Sequence, residues 1–356
     1  MIRTVLMTAD AVGGVWTYSL DLAHALKLCG THVVLAVMGP KPSSAQIADA
    51  GSIEIRHGDY KLEWMDQAWS DVDLAGDWLL SLEREVSADV IHLNGYVHGS
   101  IDWRAPKVVV AHSCVLSWWE AVHRTLAPPE WDEYRARVSA GIHAADLVIA
   151  PSQAMLAAIE KNYGALRSAK VIPNGRDARA YRPATKEPFI LTAGRFWDQA
   201  KNLSTLDGAA AALEWPVYAA GEGGIPAGIH PLGRLSSPDL REWYSRASIF
   251  TLPARYEPFG LSILEAALSG CALVLGDIPS LRENWEDAAL FAPPDDTNAL
   301  ASQLRSLIHS AETRRRYQIA ACDRAQQFTV EKMAEAYLDC YAALRCRSHP
   351  ATAFKS

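Results

Sequence analysis

Apolar residues in this chain come in short unbroken runs, and each run is followed by a longer stretch with helical spacing of apolar and polar positions. The first run, Arg3–Thr8, leads into a glycine turn at Ala11-Val12-Gly13-Gly14 and a helix over Val15–Leu28, with Gly30 as a stop beyond it. Further runs fall at His32–Val37, Asp89–Leu93, Lys107–Ala111 and Leu147–Ala150. Continuous apolar runs separated by helices predict parallel strands covered on both faces, which is a doubly wound α/β domain.

The stretch from Val171-Ile172-Pro173-Asn174-Gly175 to Pro183 interrupts this rhythm with two prolines and an Asn-Gly turn signal, and it predicts a linker. The rhythm then restarts. Strands are expected at Phe189–Ala193, Val217–Ala220, Ile249–Leu252, Ala272–Leu275 and Ala289–Phe291. Helices are expected at Asn202–Leu213, Pro238–Ser245, Gly260–Ser269 and Ser280–Glu286. From Thr297 to Arg345 the pattern is helical throughout, and Ser348–Ser356 has the look of a frayed tail. The expected division is a first domain over residues 1–172, a linker over 173–185, a second domain over 186–330, and a C-terminal helix over 331–347 that packs back toward the first domain. Two such domains leave a cleft, and ligands in these sheets bind beyond the carboxyl ends of the strands.

Composition narrows the function classes. The chain has 356 residues, too many for one ordinary domain and enough for two. Its formal charge is −7. Residues 1–172 hold 14 Lys+Arg against 20 Asp+Glu, and the remainder 20 against 21. Neither half has the basic excess of a nucleic-acid binder, and membrane contact is expected to be peripheral at most. The six cysteines form no C-x-x-C pair and no zinc-like spacing, so most are expected to be small buried apolar residues in a reducing compartment. The N-terminus runs into a strand without a leader pattern, and no apolar run reaches spanning length, so the expected location is cytoplasmic.

The strand-end loops carry the chemistry. Gly13-Gly14 permits close backbone approach at a helix N-terminus, but the second strand ends Val37-Met38-Gly39 without the acidic residue of a dinucleotide site. After another strand, Ala193-Gly194-Arg195-Phe196-Trp197-Asp198-Gln199-Ala200-Lys201 places two cations, Arg195 and Lys201, on one loop. Two cations can neutralise a diphosphate leaving group without a metal. Gly221, in Gly221-Glu222-Gly223-Gly224, permits close approach at the next strand end. The segment from Leu252 through Glu257-Pro258-Phe259-Gly260-Leu261 to Glu265 ends a strand and opens a helix. The leading amides of that helix form an anion site, with two carboxylates beside it.

These residues, in this order, resemble the signature of glycosyltransferase family 4. Glu257 and Glu265 form an E-x7-E motif, preceded by Pro253 and Arg255. Gly13-Gly14 resembles the family's N-terminal glycine loop, Val171–Gly175 its interdomain linker, and Gly194-Arg195 with Lys201 its phosphate-binding pair. The resemblance spans nearly the whole chain. It implies the GT-B fold and retaining, metal-independent transfer of a hexosyl group from a nucleotide-diphosphate sugar, a uridine or guanosine one, with no further cofactor. It implies that Arg195 and Lys201 bind the diphosphate with the amides of Gly260 and Leu261. Glu265 would hold the ribose and Glu257 the donor sugar beside Pro258 and Phe259. His112 would lie near that sugar, and Leu235 would meet the base through its backbone. Trp118 and Trp119, on the tryptophan-rich N-terminal half, are expected to stack on an acceptor, whether saccharide, lipid-linked or small molecule. Two departures stand out: one extra residue between Arg195 and Lys201, and Ile278-Pro279-Ser280 where relatives have Gly-Gly. The alternatives are a sugar-nucleotide binder without catalysis, or an epimerase or phosphorylase of related architecture.

Overall fold

A computed structural model describes residues 2–348 of the chain, and the expected tail beyond Ser348 lies outside the described residues. Contacts divide the chain into two compact units. The first contains everything up to Ser117, Leu126–Gly175 and the chain from Val330 onward; the second contains Trp118–Thr125 and Arg176–Thr329.

The first unit is built on seven strands: β1 (Thr4–Asp10), β2 (His32–Met38), β3 (Glu54–His57), β4 (Val90–Leu93), β5 (Lys107–Val110), β6 (Leu147–Ala150) and β7 (Ala169–Val171). They form one parallel sheet in the order β3-β2-β1-β4-β5-β6-β7. The intervening helices are α1 (Gly14–Leu28), α2 (Ser44–Ala50), α3 (Trp69–Val86), α4 (Val115–His123), which from Trp118 groups with the second unit, α5 (Asp132–Ala144) and α6 (Gln153–Tyr163). Inner strands such as β2 and β4 are buried along almost their whole length, which is why they read as unbroken apolar runs. The chain order reverses between β1 and β4, so the carboxyl ends of these two strands flank the crevice such sheets use for ligands.

The second unit repeats the scheme with β8 (Glu187–Ala193), β9 (Val217–Ala220), β10 (His230–Gly233), β11 (Ala247–Leu252), β12 (Ala272–Gly276) and β13 (Ala289–Ala292), in the order β10-β9-β8-β11-β12-β13. Its helices are α7 (Leu203–Ala210), α8 (Ser237–Arg246), α9 (Leu261–Leu268), α10 (Pro279–Trp285), α11 (Thr297–His309) and α12 (Ala311–Ala325). Phe189, Leu191 and Ala193 of β8 join one apolar cluster and Ile190 the other, so the sheet is covered on both faces. Here the order reverses between β8 and β11, which places the loops after those strands at the switch point.

Three short strands, β3, β7 and β10, escaped the apolar pattern. β3 is Glu-Ile-Arg-His and β10 is His-Pro-Leu-Gly, and all three lie at sheet edges where only part of each strand is covered. The single helical stretch expected from Thr297 to Arg345 is three helices: α11, α12 and α13 (Val330–Ser348). The first break comes at Ser310, whose hydroxyl accepts from the Thr313 amide at 3.1 Å and caps α12. α13 groups with the first unit and packs on α1. Of the stretch expected as linker, Arg176 onward groups with the second unit, and Tyr181 is buried in its core. One side-chain expectation fails. Cys114, Cys271 and Cys340 are buried, but Cys29 and Cys346 are exposed and Cys322 is half-buried. Of the eight tryptophans before the linker, Trp16 is buried, Trp64 is exposed and the other six are half-buried.

Candidate functional site

In the second unit, the loops after β8 and β11 meet through one buried ion pair. Lys201 Nζ lies 2.6 Å from Glu257 Oε2, with each side chain about seven-eighths covered (13% and 14% exposed). The β8 loop reaches this geometry by a 3-10 turn over Gln199–Lys201. Asp198 starts the turn by accepting from the Ala200 amide at 2.9 Å, and Asn202 ends it in the left-handed region at φ 56°. Asn202 then donates to the Pro253 carbonyl at 2.9 Å, and the Arg255 amide donates to the Ala200 carbonyl at 2.8 Å, so the two loops are laced together. Arg195 lies on the same loop, half-buried, its guanidinium 5.2 Å from the Trp197 ring centroid.

Gly221 closes the neighbouring strand end. A Cβ there would sit 1.8 Å from the Gly194 carbonyl oxygen, and its φ is 147°, so only glycine lets the β9 loop lie against the Gly194-Arg195 backbone. Leu235, just after β10, is half-buried against the same core.

Gly260 introduces α9 in the left-handed conformation, at φ 90°. No side chain caps this helix, while the Ile263 and Leu264 amides turn back to the Gly260 carbonyl. The leading amides of Leu261 and Ser262 therefore remain for an anion, reinforced by the helix dipole. The helix is anchored by buried Ile263, Leu264, Ala266, Ala267 and Leu268, so its N-terminus is rigidly aimed. Pro258 leads into buried Phe259, which packs edge-on to Phe328 at 5.5 Å. Ser280, from the segment that departs from the family pattern, donates to the Glu257 carbonyl at 2.6 Å and fixes the backbone of that acid.

Glu265, one to two turns into α9, is only 9% exposed and pairs with Arg176 at 3.0 Å. The Arg176 guanidinium also donates to the Tyr181 hydroxyl through Nε at 3.0 Å and through Nη2. Sequence reasoning found both acids but not Arg176. Its one signal was a cation directly after the Asn-Gly turn, which has no periodic partner.

In the first unit the glycine loop is exposed at Gly13 and Gly14, and α1 begins there without a side-chain cap. Beside the β1/β4 switch point lies a polar cluster that sequence reasoning saw only as His112. His112 Nε2 lies 2.8 Å from Asn94 Oδ1, and His92 Nε2 lies 3.0 Å from the same oxygen. The His112 ring meets Tyr18 edge-on at 4.4 Å. Burial pulls His112 down to about 3, aided by the neighbouring His92, and burial pulls His92 down to about 4. Both rings are therefore neutral near pH 7. His92 and Asn94 had a signal available: polar residues at the end of an apolar strand, in Ile91-His92-Leu93-Asn94.

These depressed values fix a pH dependence of stability. The unfolded chain binds protons at these histidines below about pH 6.5, and the folded chain does not until about pH 4. Stability therefore falls as pH drops through that window, by roughly 3 kcal/mol from fully buried His92 and further in the same direction from His112. Urea midpoints at pH 7 and pH 4.5 check this. The gap should shrink in His92→Gln, and an equal gap in wild type and variant would contradict it.

The structure thus places Arg195, Lys201, Gly221, Glu257 and Gly260 on strand-end loops of one unit with Leu261 and Glu265 on the helix α9 that follows, and Gly13 and His112 on strand-end loops of the other with Gly14 opening α1. Trp118 and Trp119, expected on the N-terminal lobe, group by contact with the second unit instead. Trp118 Nε1 donates to Asp198 Oδ1 at 2.9 Å, and Trp118, Trp119 and His123 form one aromatic cluster. The tie to Asp198 is what places them, and no local pattern shows it.

Two such units, each with a parallel doubly wound sheet and polar residues at the switch point, define a GT-B enzyme that transfers hexosyl groups. The model of Glycosyltransferase Family 4 matches residues 12–180, and that of Glycosyl transferases group 1 matches residues 187–310. The chain belongs to glycosyltransferase family 4. Among curated relatives it is 25% identical to the glycogen synthase of Mycobacterium tuberculosis, over 94% of this chain and 92% of that one. Among solved structures, sucrose-phosphate synthase from Thermosynechococcus elongatus matches with a TM-score of 0.81 at 18% identity, covering 97% of this chain and 100% of that one. HepE from Anabaena, solved in complex with UDP-glucose, matches with a TM-score of 0.78 at 16% identity, covering 96% and 100%. Among the described residues no helix is long and apolar enough to cross a membrane.

Proposed function

We propose that the chain is a retaining, metal-independent transferase that takes a hexosyl group from a uridine or guanosine diphosphate sugar and passes it to a saccharide, lipid-linked or small-molecule acceptor. The observation that carries this is the Lys201–Glu257 pair at the β8/β11 switch point, next to the uncapped N-terminus of α9. A cation and a carboxylate held 2.6 Å apart suit adjacent parts of one ligand: Lys201 a diphosphate oxygen, Glu257 the sugar hydroxyls beside it. The HepE complex with UDP-glucose supports a nucleotide sugar as the ligand.

As the glycosidic bond to the leaving group breaks, negative charge grows on the β-phosphate. Lys201, Arg195 and the amides of Leu261 and Ser262 are the preorganised groups that meet it, which is where such groups lower a barrier most. Glu257 is not assigned as a nucleophile. In free enzyme it is occupied by Lys201, and it turns to the sugar when the diphosphate takes over the cation. Attack from the leaving-group face retains configuration, with the departing phosphate accepting the acceptor's proton. Glu265 orients the ribose, Leu235 meets the base through its backbone, and the family resemblance assigns His112 to the donor sugar. Trp118 and Trp119 are the proposed acceptor platform.

A thermal-shift screen of uridine, guanosine and adenosine diphosphate sugars tests the reading, since a ligand that binds only the folded state raises Tm by mass action. Incubation of the stabilising donor with an acceptor panel should release free nucleoside diphosphate and give a product of retained anomeric configuration in the presence of EDTA. Stabilisation without release under any acceptor would favour the non-catalytic binder. A product epimerised at the sugar with no transfer would favour the epimerase.

A further inference from the structure

His92 and His112 share a single acceptor atom, the amide oxygen of Asn94, at the carboxyl ends of β4 and β5. Asn94 Oδ1 lies 3.0 Å from His92 Nε2 and 2.8 Å from His112 Nε2. The orientation of this amide is set by its other end. Asn94 Nδ2 lies 2.7 Å from the Thr8 carbonyl oxygen and 3.0 Å from Ser19 Oγ, and a carbonyl can only accept. A flipped amide would press oxygen against the Thr8 carbonyl. The main chain of Asn94 is held as well, its N–H donating to Thr8 Oγ1 at 2.8 Å.

We infer that Asn94 is a positioning residue that locks His112 in the Nε2–H tautomer and leaves Nδ1 a lone-pair acceptor, so that the ring gives its one N–H to Asn94 and at Nδ1 only receives a hydrogen bond. The inference rests on the reading of His112 beside the donor sugar and narrows it: the group facing Nδ1 must be a hydrogen-bond donor, which on a sugar is a hydroxyl. A carboxylate presented there would set lone pair against lone pair.

The rest of the cluster enforces the same polarity. His92 gives its Nε2–H to Asn94, so its Nδ1 must accept, and the Tyr341 hydroxyl donates to it at 2.6 Å. Two N–H groups converge on one amide oxygen and use both of its lone pairs. The groups facing the two rings are Tyr18 from α1, Asn94 from the β4 end, and Tyr337 and Tyr341 from α13; none is a carboxylate. Nothing here rewards a second ring proton, and burial opposes it.

Long-range 1H–15N correlation spectra of the ligand-free full chain, labelled at histidine, read the tautomers directly. Wild-type His112 and His92 should both show a protonated Nε2 and a pyridine-like Nδ1 at pH 7. Asn94→Ala should release His112 into a mixture of tautomers and lower kcat/KM about tenfold, the scale of one lost hydrogen bond. Asn94→Asp should supply a carboxylate, raise the pKa of His112, and make transfer fall with acidity below pH 7 where wild type is flat. An Nδ1–H tautomer of His112 in wild type overturns the inference. So does an unchanged His112 spectrum in Asn94→Ala, which keeps the test decisive even where the aspartate variant does not fold. His112→Ala with wild-type kcat/KM, alongside tautomers that respond as expected, upholds the lock while ending the reading of His112 beside the sugar.

Discussion

Replacing Lys201 by alanine should lower turnover at saturating donor on the order of 10²-fold or more. A preorganised cation or oxyanion donor aimed at developing charge is worth that much when removed from a water-poor site. Lys201 qualifies because it is only 13% exposed and already held within 2.6 Å of a carboxylate, so little reorganisation is needed when a phosphate oxygen replaces it. Measuring kcat separately from KM distinguishes this from simple loss of donor affinity. The variant also leaves Glu257 partly buried without its cation, so nucleoside diphosphate should stabilise it far less than it does the wild type. Glu257→Gln gives the complementary result: the nucleoside diphosphate still raises Tm, because Lys201 is freed for it, while the sugar is turned over slowly. Near-normal kcat in Lys201→Ala would remove the cation from the mechanism.

Arg176→Ala should destabilise the second unit by about 3–5 kcal/mol, the usual cost of leaving one half of a buried ion pair alone. Arg176 and Glu265 are 13% and 12% exposed at the side chain and 3.0 Å apart, and Arg176 also bridges to Tyr181. Urea unfolding followed by a probe in the second unit measures the loss. Glu265→Gln in the same background should recover much of it, because the uncompensated charge is gone. Replacing both residues by methionine should restore stability further without restoring donor affinity. A carboxylate that serves only the fold would instead leave donor affinity intact in that double variant, and the ribose role of Glu265 would then fail. The positive coupling expected in this cycle follows from direct contact and would vanish for independent sites.

Much of the architecture was legible in the chain because buried parallel strands leave an unmistakable trace. β6 and β9 were delimited to the residue, and β1, β2, β5, β8, β11, β12 and β13 to within a few residues, since each is apolar nearly throughout. The edge strands β3, β7 and β10 leave no such trace, because half-covered strands tolerate charge. The motif residues were legible for a related reason. Binding groups follow strands in this class of sheet, so Arg195, Lys201, Glu257 and Gly260 could be found by where the apolar runs stop.

Partnership was decided only in three dimensions. That Glu265 meets Arg176, that His112 shares an acceptor with His92, and that Trp118 belongs beside Asp198 are contacts across 89, 20 and 80 positions of the chain. Periodicity records which face of an element is buried; it does not record which distant side chain completes a hydrogen bond or neutralises a charge. Those pairings arise when separate strand ends are brought to one edge of a folded sheet, and burial then makes each unpaired polar group costly enough to require them.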